Sequence, residues 1–420
     1  MKKWLVLLVA LVMVFTAAAG VSANTSSIPA GITPEKGAKL IVWESEDQYK
    51  YMSTVAQAFS RAYKIPVTVQ KVEITDAIAK MTLAKKGASN SPDVVVFPHD
   101  RLGEAVKAKL VYQNSELAAV TKRNNPASAI DAVSMNGVIY GYPKQVESVA
   151  LIYNKKLVKN PPKTWAEVIA LGKNKTLHNP ANKRYVILWE VGGAYHSYAF
   201  IGSQGGYVFG NKGSNKNDVG IANAGAVRSL TTYKQVRDQL LSSLKSGSIT
   251  GDVVNGLFQT GKVAMTINGP WMIDAYQKAG IDVGVTKIPA FGTAANQVAK
   301  PFGGVRAYYV SSKAMYPEAA KLFAHFATQK WAQTELYKMK KSIPANKEAA
   351  NSVTVKRDPI ISGFSAQFAD ATPMPSIPEM GNYWGNAGTA LTEIFDKGVA
   401  PKAAADKAKK AMDAAIKGSK

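Results

Sequence analysis

The chain has 420 residues, 52 Lys and Arg against 29 Asp and Glu, a net charge of +23, and no cysteine. That length supports two ordinary domains with cores of their own. The missing thiols exclude disulfides, zinc–thiolate centres, cysteine nucleophiles and the lipid-bearing cysteine of many exported proteins.

The start is a targeting signal: basic Lys2-Lys3, an apolar run from Trp4 to Phe15, and small residues at Val21-Ser22-Ala23. The apolar run is short for a membrane span, so residues 1–23 read as a signal peptide and the remainder as an exported protein, periplasmic or extracellular. Residues 24–38 form a flexible leader rich in Ser, Pro and Gly. Leu40 to Trp43 is then a buried strand, and Tyr51 to Tyr63 a helix with Val55, Ala58, Phe59 and Ala62 on one face. Val67 to Val69, Ile74 to Leu83 and Asp93 to Phe97 continue the series as strand, helix and strand. Such alternation predicts a parallel sheet covered by helices, with ligands beyond the carboxyl ends of the strands. A second α/β region spans roughly residues 147–285. Pro317 to Thr328, Trp331 to Lys341, the stretch from Pro359, and Pro378 to Lys397 read as helices, and Ala403 to Ile416 as a half-buried terminal helix.

The lysines are spread along the whole chain, not packed into one block. An exported protein rarely meets nucleic acid, so the charge reads as loose association with an anionic envelope or as adaptation to habitat pH. There is no P-loop, dinucleotide fingerprint, His-Glu-x-x-His helix or Gly-x-Ser-x-Gly elbow, and the four histidines lack metal spacing. Neither a cofactor nor a metal is expected.

What remains is a set of carboxylates and aromatics at element ends. Asp47 follows the first strand, and Asp100 and Arg101 follow the third. Glu147 precedes the strand Val149 to Tyr153, and Glu190 and Tyr195 flank a Gly-Gly turn. Trp271 follows a strand, Val263 to Ile267, that Asn268-Gly269-Pro270 stops, and Trp384 heads a helix. Carboxylates suit sugar hydroxyls, and flat rings bury the apolar face of a sugar. Each residue also has a plainer reading. Asp100 is placed to cap the helix near Leu102, Trp271 and Trp384 to pack as core, and Glu44, Glu46 and Asp47 to form a solvated acidic turn.

Seven segments, in order over nearly the whole chain, resemble the maltose/maltodextrin-binding proteins of ABC sugar importers. Among them are Ser91 to Arg101, Val146 to Leu157, Asn160-Pro-Pro-Lys-Thr-Trp165 and Ala264-Met-Thr-Ile-Asn-Gly-Pro-Trp271. The resemblance implies a type II periplasmic-binding-protein fold, with two hinged α/β lobes, each a mostly parallel sheet covered by helices. Residues 39–145 with 287–342 form the first lobe, and 146–286 with 343–420 the second. It implies sugar contacts at Asp47, Asp100, Arg101, Glu147, Tyr195, Trp271 and Trp384, with Phe97 in place of a tryptophan and Glu190 standing in for a displaced glutamate. Two cationic clamps are absent, since Gln48 and Gly388 occupy their positions. The implied protein is a monomeric receptor, without lipid anchor, that closes on maltose or a maltodextrin and delivers it to a membrane permease. Another oligosaccharide, such as a cyclodextrin or galacto-oligosaccharide, is the main alternative. A glycoside hydrolase using Asp100 and Glu147 and a cation receptor of similar architecture are further rivals.

Overall fold

The computed structural model describes residues 27–294 and 297–418, so the signal peptide lies outside the described residues. Leu40–Glu44 (β1), Val67–Lys71 (β2) and Val94–Pro98 (β3) pair in parallel with β1 in the middle. The helix Tyr49–Tyr63 connects β1 to β2 and buries Tyr51, Met52, Val55, Ala56, Ala58 and Phe59 as one stripe. The remaining principal strands are Tyr142–Ser148 (β4), Ala150–Asn154 (β5), Tyr185–Ile187 (β6), Val263–Asn268 (β7), Val283–Thr286 (β8), Phe302–Val310 (β9), Ile343–Pro344 (β10) and Thr372–Pro373 (β11).

Two sheets result. The larger runs β10-β4-β9-β3-β1-β2, with β11 also on β9, and the smaller runs β8-β5-β7-β6. The fold is α/β with one sheet per lobe. Both sheets are mixed: β9 lies antiparallel to β3 and β4, and β5 lies antiparallel to β7 and β8. Antiparallel neighbours arise because the chain returns to the first sheet from the second instead of through a covering helix.

The central strand β9 has no counterpart in the sequence reading. All nine of its residues are buried, so no polar alternation marks it, and Gly303-Gly304 and Arg306 interrupt its apolar run.

The connections between the sheets frame the site. β4 belongs to the larger sheet and β5, one residue later, to the smaller. β8 ends in the smaller sheet and β9 begins in the larger. Gln367 braces that second connection, accepting from the Ile288 amide at 2.7 Å and donating to the Ala299 carbonyl at 3.0 Å.

Candidate functional site

A cavity of about 400 Å³ opens where these connections meet. Its polar wall comes from the larger sheet. β3 ends at Pro98, and a single 3₁₀ turn, His99–Arg101, carries the chain into the next helix. His99 is fully buried: Nδ1 accepts from the Val305 amide at 3.1 Å, and Nε2 donates to the Met374 carbonyl at 3.0 Å. Burial pushes its pKa down to about 4, which suits a neutral ring locked in one tautomer.

With His99 fixed, Asp100 turns to the cavity. Its side chain makes no cap bond to the helix that follows. Oδ1 is buried and has no hydrogen-bond partner in the protein. Burial pushes the carboxyl up to about 7, opposed by Arg101 and by the indole N–H of Trp384 and reinforced by Glu147. Arg101 lies beside it, paired with Glu104 at 2.6 Å and donating to the Thr75 carbonyl at 3.3 Å.

Glu147, near the end of β4, is buried and held on two sides. Gln145 Nε2 donates to Oε2 at 3.0 Å, and Gln145 in turn accepts from Gln48 Nε2 at 3.1 Å. Arg306 on β9 places Nε 3.1 Å from Oε2. Gln48 therefore sits beneath the wall, 1% exposed, and orients Glu147 through Gln145. One layer deeper, Glu44 and Lys144 form an ion pair with both side chains wholly buried. Lys144 Nζ also lies 5.3 Å from the ring centres of both Tyr51 and Tyr308. Glu44 is thus not part of a solvated acidic turn; Glu46 and Asp47 remain exposed.

The opposite wall is aromatic. Asn268 ends β7 by accepting the Gly269 amide at 2.8 Å on its own side chain, while its amide nitrogen donates to Asn255 at 3.1 Å. Gly269 has φ of −102°, so no left-handed turn demands glycine there. The demand is steric: a Cβ would lie 2.1 Å from the Trp271 indole. The indole rests on bare backbone and presents its free edge and face to the cavity. Tyr195 lies 6.2 Å from Trp271, centre to centre, and 6.3 Å from Phe302. Trp384 lies 5.8 Å from Phe302. The Tyr195 hydroxyl is buried and unpaired.

Of the residues expected at the site, Asp100, Arg101, Glu147, Tyr195, Trp271 and Trp384 line this one cavity. Three do not. Phe97 is 0% exposed and stacks on Tyr309 at 3.9 Å, because the strand's alternation turns it into the core. Asp47 stands at the margin, its Oδ2 3.8 Å from Arg306 Nη1. Glu190 sits behind His196, 3.2 Å from Nδ1, and it is His196 that faces the cavity. Sequence reasoning missed Arg306, His196 and Met374. Arg306 had a signal, since an arginine inside a buried apolar strand must have partners.

The geometry unites carboxylates, two guanidinium groups and three half-buried rings around one opening. No cluster of three or more metal-ligating side chains occurs among the described residues, and no described helix is long and apolar enough to cross a membrane.

Comparison with known proteins agrees with this architecture. The profile of a bacterial extracellular solute-binding protein family matches residues 54–363. A maltooligosaccharide ABC transporter solute-binding lipoprotein of Streptococcus pneumoniae is 28% identical over 92% of this chain and 90% of its own. A galactooligosaccharide-binding protein of Bacillus subtilis is 30% identical over 91% and 90%. Among solved structures, a cyclo/maltodextrin-binding protein complexed with maltotetraose is 35% identical, with a TM-score of 0.78 over 91% of this chain and 98% of that one. The Streptococcus pneumoniae MalX complex with maltopentaose is 28% identical, with a TM-score of 0.81 over 90% and 100%.

Proposed function

This chain belongs to the bacterial extracellular solute-binding protein family, and from that premise we propose that it captures maltodextrin-type oligosaccharides between its two lobes for an ABC importer. It is a binding protein and not an enzyme. The observation that carries the reading is the composition of one cavity: Asp100, Glu147 and Arg306 on one wall, Tyr195, Trp271 and Trp384 on the other. Carboxylates accept from sugar hydroxyls, each such charged hydrogen bond being worth about 1.5–3 kcal/mol. The rings cover the apolar faces of successive glucose units.

The lobes act as a clamp. One half is the body built on the larger sheet, to which residues 146–148, 343–344 and 372–373 also belong, and the other is the body built on the smaller sheet. The expected boundaries at 145/146 and 342/343 therefore fall inside the first body. A ligand that touches both halves favours the closed state. Glu147, on the strand that leads from one sheet to the other, couples sugar contact to that movement. The closed monomer docks on a membrane permease. The sequence has no cysteine to carry a lipid, unlike the lipoprotein relative of Streptococcus pneumoniae, and its positive charge holds it loosely to an anionic envelope. A salt wash that fails to release any protein from intact cells argues against that last point.

A thermal-shift panel of maltose, maltotriose, maltotetraose, a cyclodextrin and a galacto-oligosaccharide tests the ligand class, because ligand bound only to the folded state raises its stability. The linear maltodextrins should give the largest shifts. A shift from the galacto-oligosaccharide alone would replace them as substrate, and free glucose accumulating during incubation would contradict a binding role.

A further inference from the structure

Arg306 occupies the middle of β9, the central strand of the larger sheet. Its side chain is only 8% exposed, yet it lines the cavity. Nε is committed to Glu147, at 3.1 Å from Oε2 and 3.3 Å from Oε1. Nη1 is buried and has no hydrogen-bond partner in the protein. The nearest carboxylate oxygen on that side, Asp47 Oδ2, is 3.8 Å away, beyond hydrogen-bond reach. The guanidinium carbon lies 6.0 Å from the centre of the Trp271 ring on the opposite wall. A buried N–H left unpaired in the protein costs roughly 1–3 kcal/mol, and a guanidinium offers five donors in a fixed fork. Such a group needs an acceptor, and the cavity is where one can stand.

We infer that Arg306 is a ligand-contacting, specificity-determining donor of this cleft, its Nη1 reserved for an acceptor oxygen of the sugar ring that lies on Trp271. The inference rests on the sugar-binding reading above. It also accounts for the two missing cationic clamps. Gln48 has withdrawn beneath the wall to support Glu147 through Gln145, and Gly388 has no side chain to offer. Arg306 adds a guanidinium from the floor of the cavity, distinct from Arg101, whose Nη2 and Nε are already engaged by Glu104. The two neighbouring carboxylates, Glu147 and Asp47, neutralise its charge locally, so the ligand it selects is neutral and rich in hydroxyl and ether oxygens, not an anion.

The test is calorimetric titration of maltotriose and its monodeoxy derivatives into the wild-type protein and Arg306→Lys. Lysine keeps a cation beside Glu147 but lacks the fork that serves two partners at once. Maltotriose should bind Arg306→Lys at least about tenfold more weakly than wild type. One monodeoxy sugar should weaken wild-type binding by about tenfold and Arg306→Lys binding by less than about twofold, a signature that a merely structural role would not produce. Equal affinities for the two proteins, or the same deoxy penalty in both, would overturn the inference. A crystal structure of the wild-type complex supplies a second readout independent of any variant. A sugar oxygen within about 3.2 Å of Nη1 supports the assignment, and bound sugar with Nη1 still unpaired overturns it. Wild-type protein that binds no maltodextrin would instead sink the proposed function itself.

Discussion

Acidification should weaken sugar binding through Asp100. Burial holds its carboxyl at about 7, about three units above its ordinary value. At pH 5 the group is then about 99% protonated, and ionising it costs about 3 kcal/mol at 1.36 kcal/mol per unit. Sugar hydroxyls donating to the carboxylate favour the ionised form by about 1.5–3 kcal/mol, which brings the pKa in the complex to roughly 5–6. Little further desolvation opposes this, because the residue is already only 7% exposed. The sign follows from the order of the two values. The complex prefers the ionised group, so affinity is full by about pH 8 and falls as pH drops through the two values. The expected loss between pH 8 and pH 5 is about ten- to fiftyfold. The groups that face Asp100 are Arg101, Glu147 and the Trp384 indole, so Asp100→Asn is the needed control. Maltotriose titrations at pH 5, 6, 7 and 8, in pairs of buffers with different ionisation enthalpies, should show proton release near pH 6 in the wild type. Asp100→Asn should bind more weakly at pH 8 and vary little with pH. A wild-type affinity that stays flat, or tightens on acidification, would rule out this role for Asp100.

Trp271→Ala should lower maltotriose affinity by about ten- to a hundredfold, the loss of one buried aromatic face, while leaving the melting temperature nearly unchanged because the ring is only half-buried; unaltered affinity would make the indole structural. Lys144→Ala strands the Glu44 carboxylate where both side chains are wholly buried and should cost about 3–5 kcal/mol in urea unfolding, with the double change Glu44→Leu/Lys144→Met recovering much of it; a loss under about 1 kcal/mol would contradict that account. Gly103→Leu places a Cβ 2.4 Å from the Ser376 carbonyl and 2.5 Å from the Pro378 nitrogen, in the segment that leads to Trp384. It should prop the two walls apart, weakening affinity and enlarging the small-angle scattering radius without touching the sugar. An unchanged radius and affinity would show that this contact does not limit closure.

Much of the site is legible in the sequence because its residues sit at the ends of strongly patterned elements. β1, β2 and β3 fall within one or two residues of their predicted places, and Asp100, Glu147, Tyr195, Trp271 and Trp384 converge on one cavity. What escaped has a physical cause in each case. β9 is buried along its whole length, so it carries no alternation. Glu44 looked solvated because its partner, Lys144, lies 100 residues away and no local spacing announces it. Phe97 has the right chemistry on the wrong face of its strand, packed on Tyr309. The Asn-Gly-Pro break pointed to Trp271, which lines the cavity, but the break has a different physical reason. Gly269 makes room for the indole instead of turning the chain.

One cavity between the lobes is proposed to hold a maltodextrin. Calorimetric titration of maltotriose into the purified exported protein at pH 8 tests it most directly. Saturable binding of one sugar per chain is expected, weakened by Trp271→Ala and Arg306→Lys alike. An absence of heat and of any competing thermal shift across the linear maltodextrins, from a protein that is folded, would contradict it.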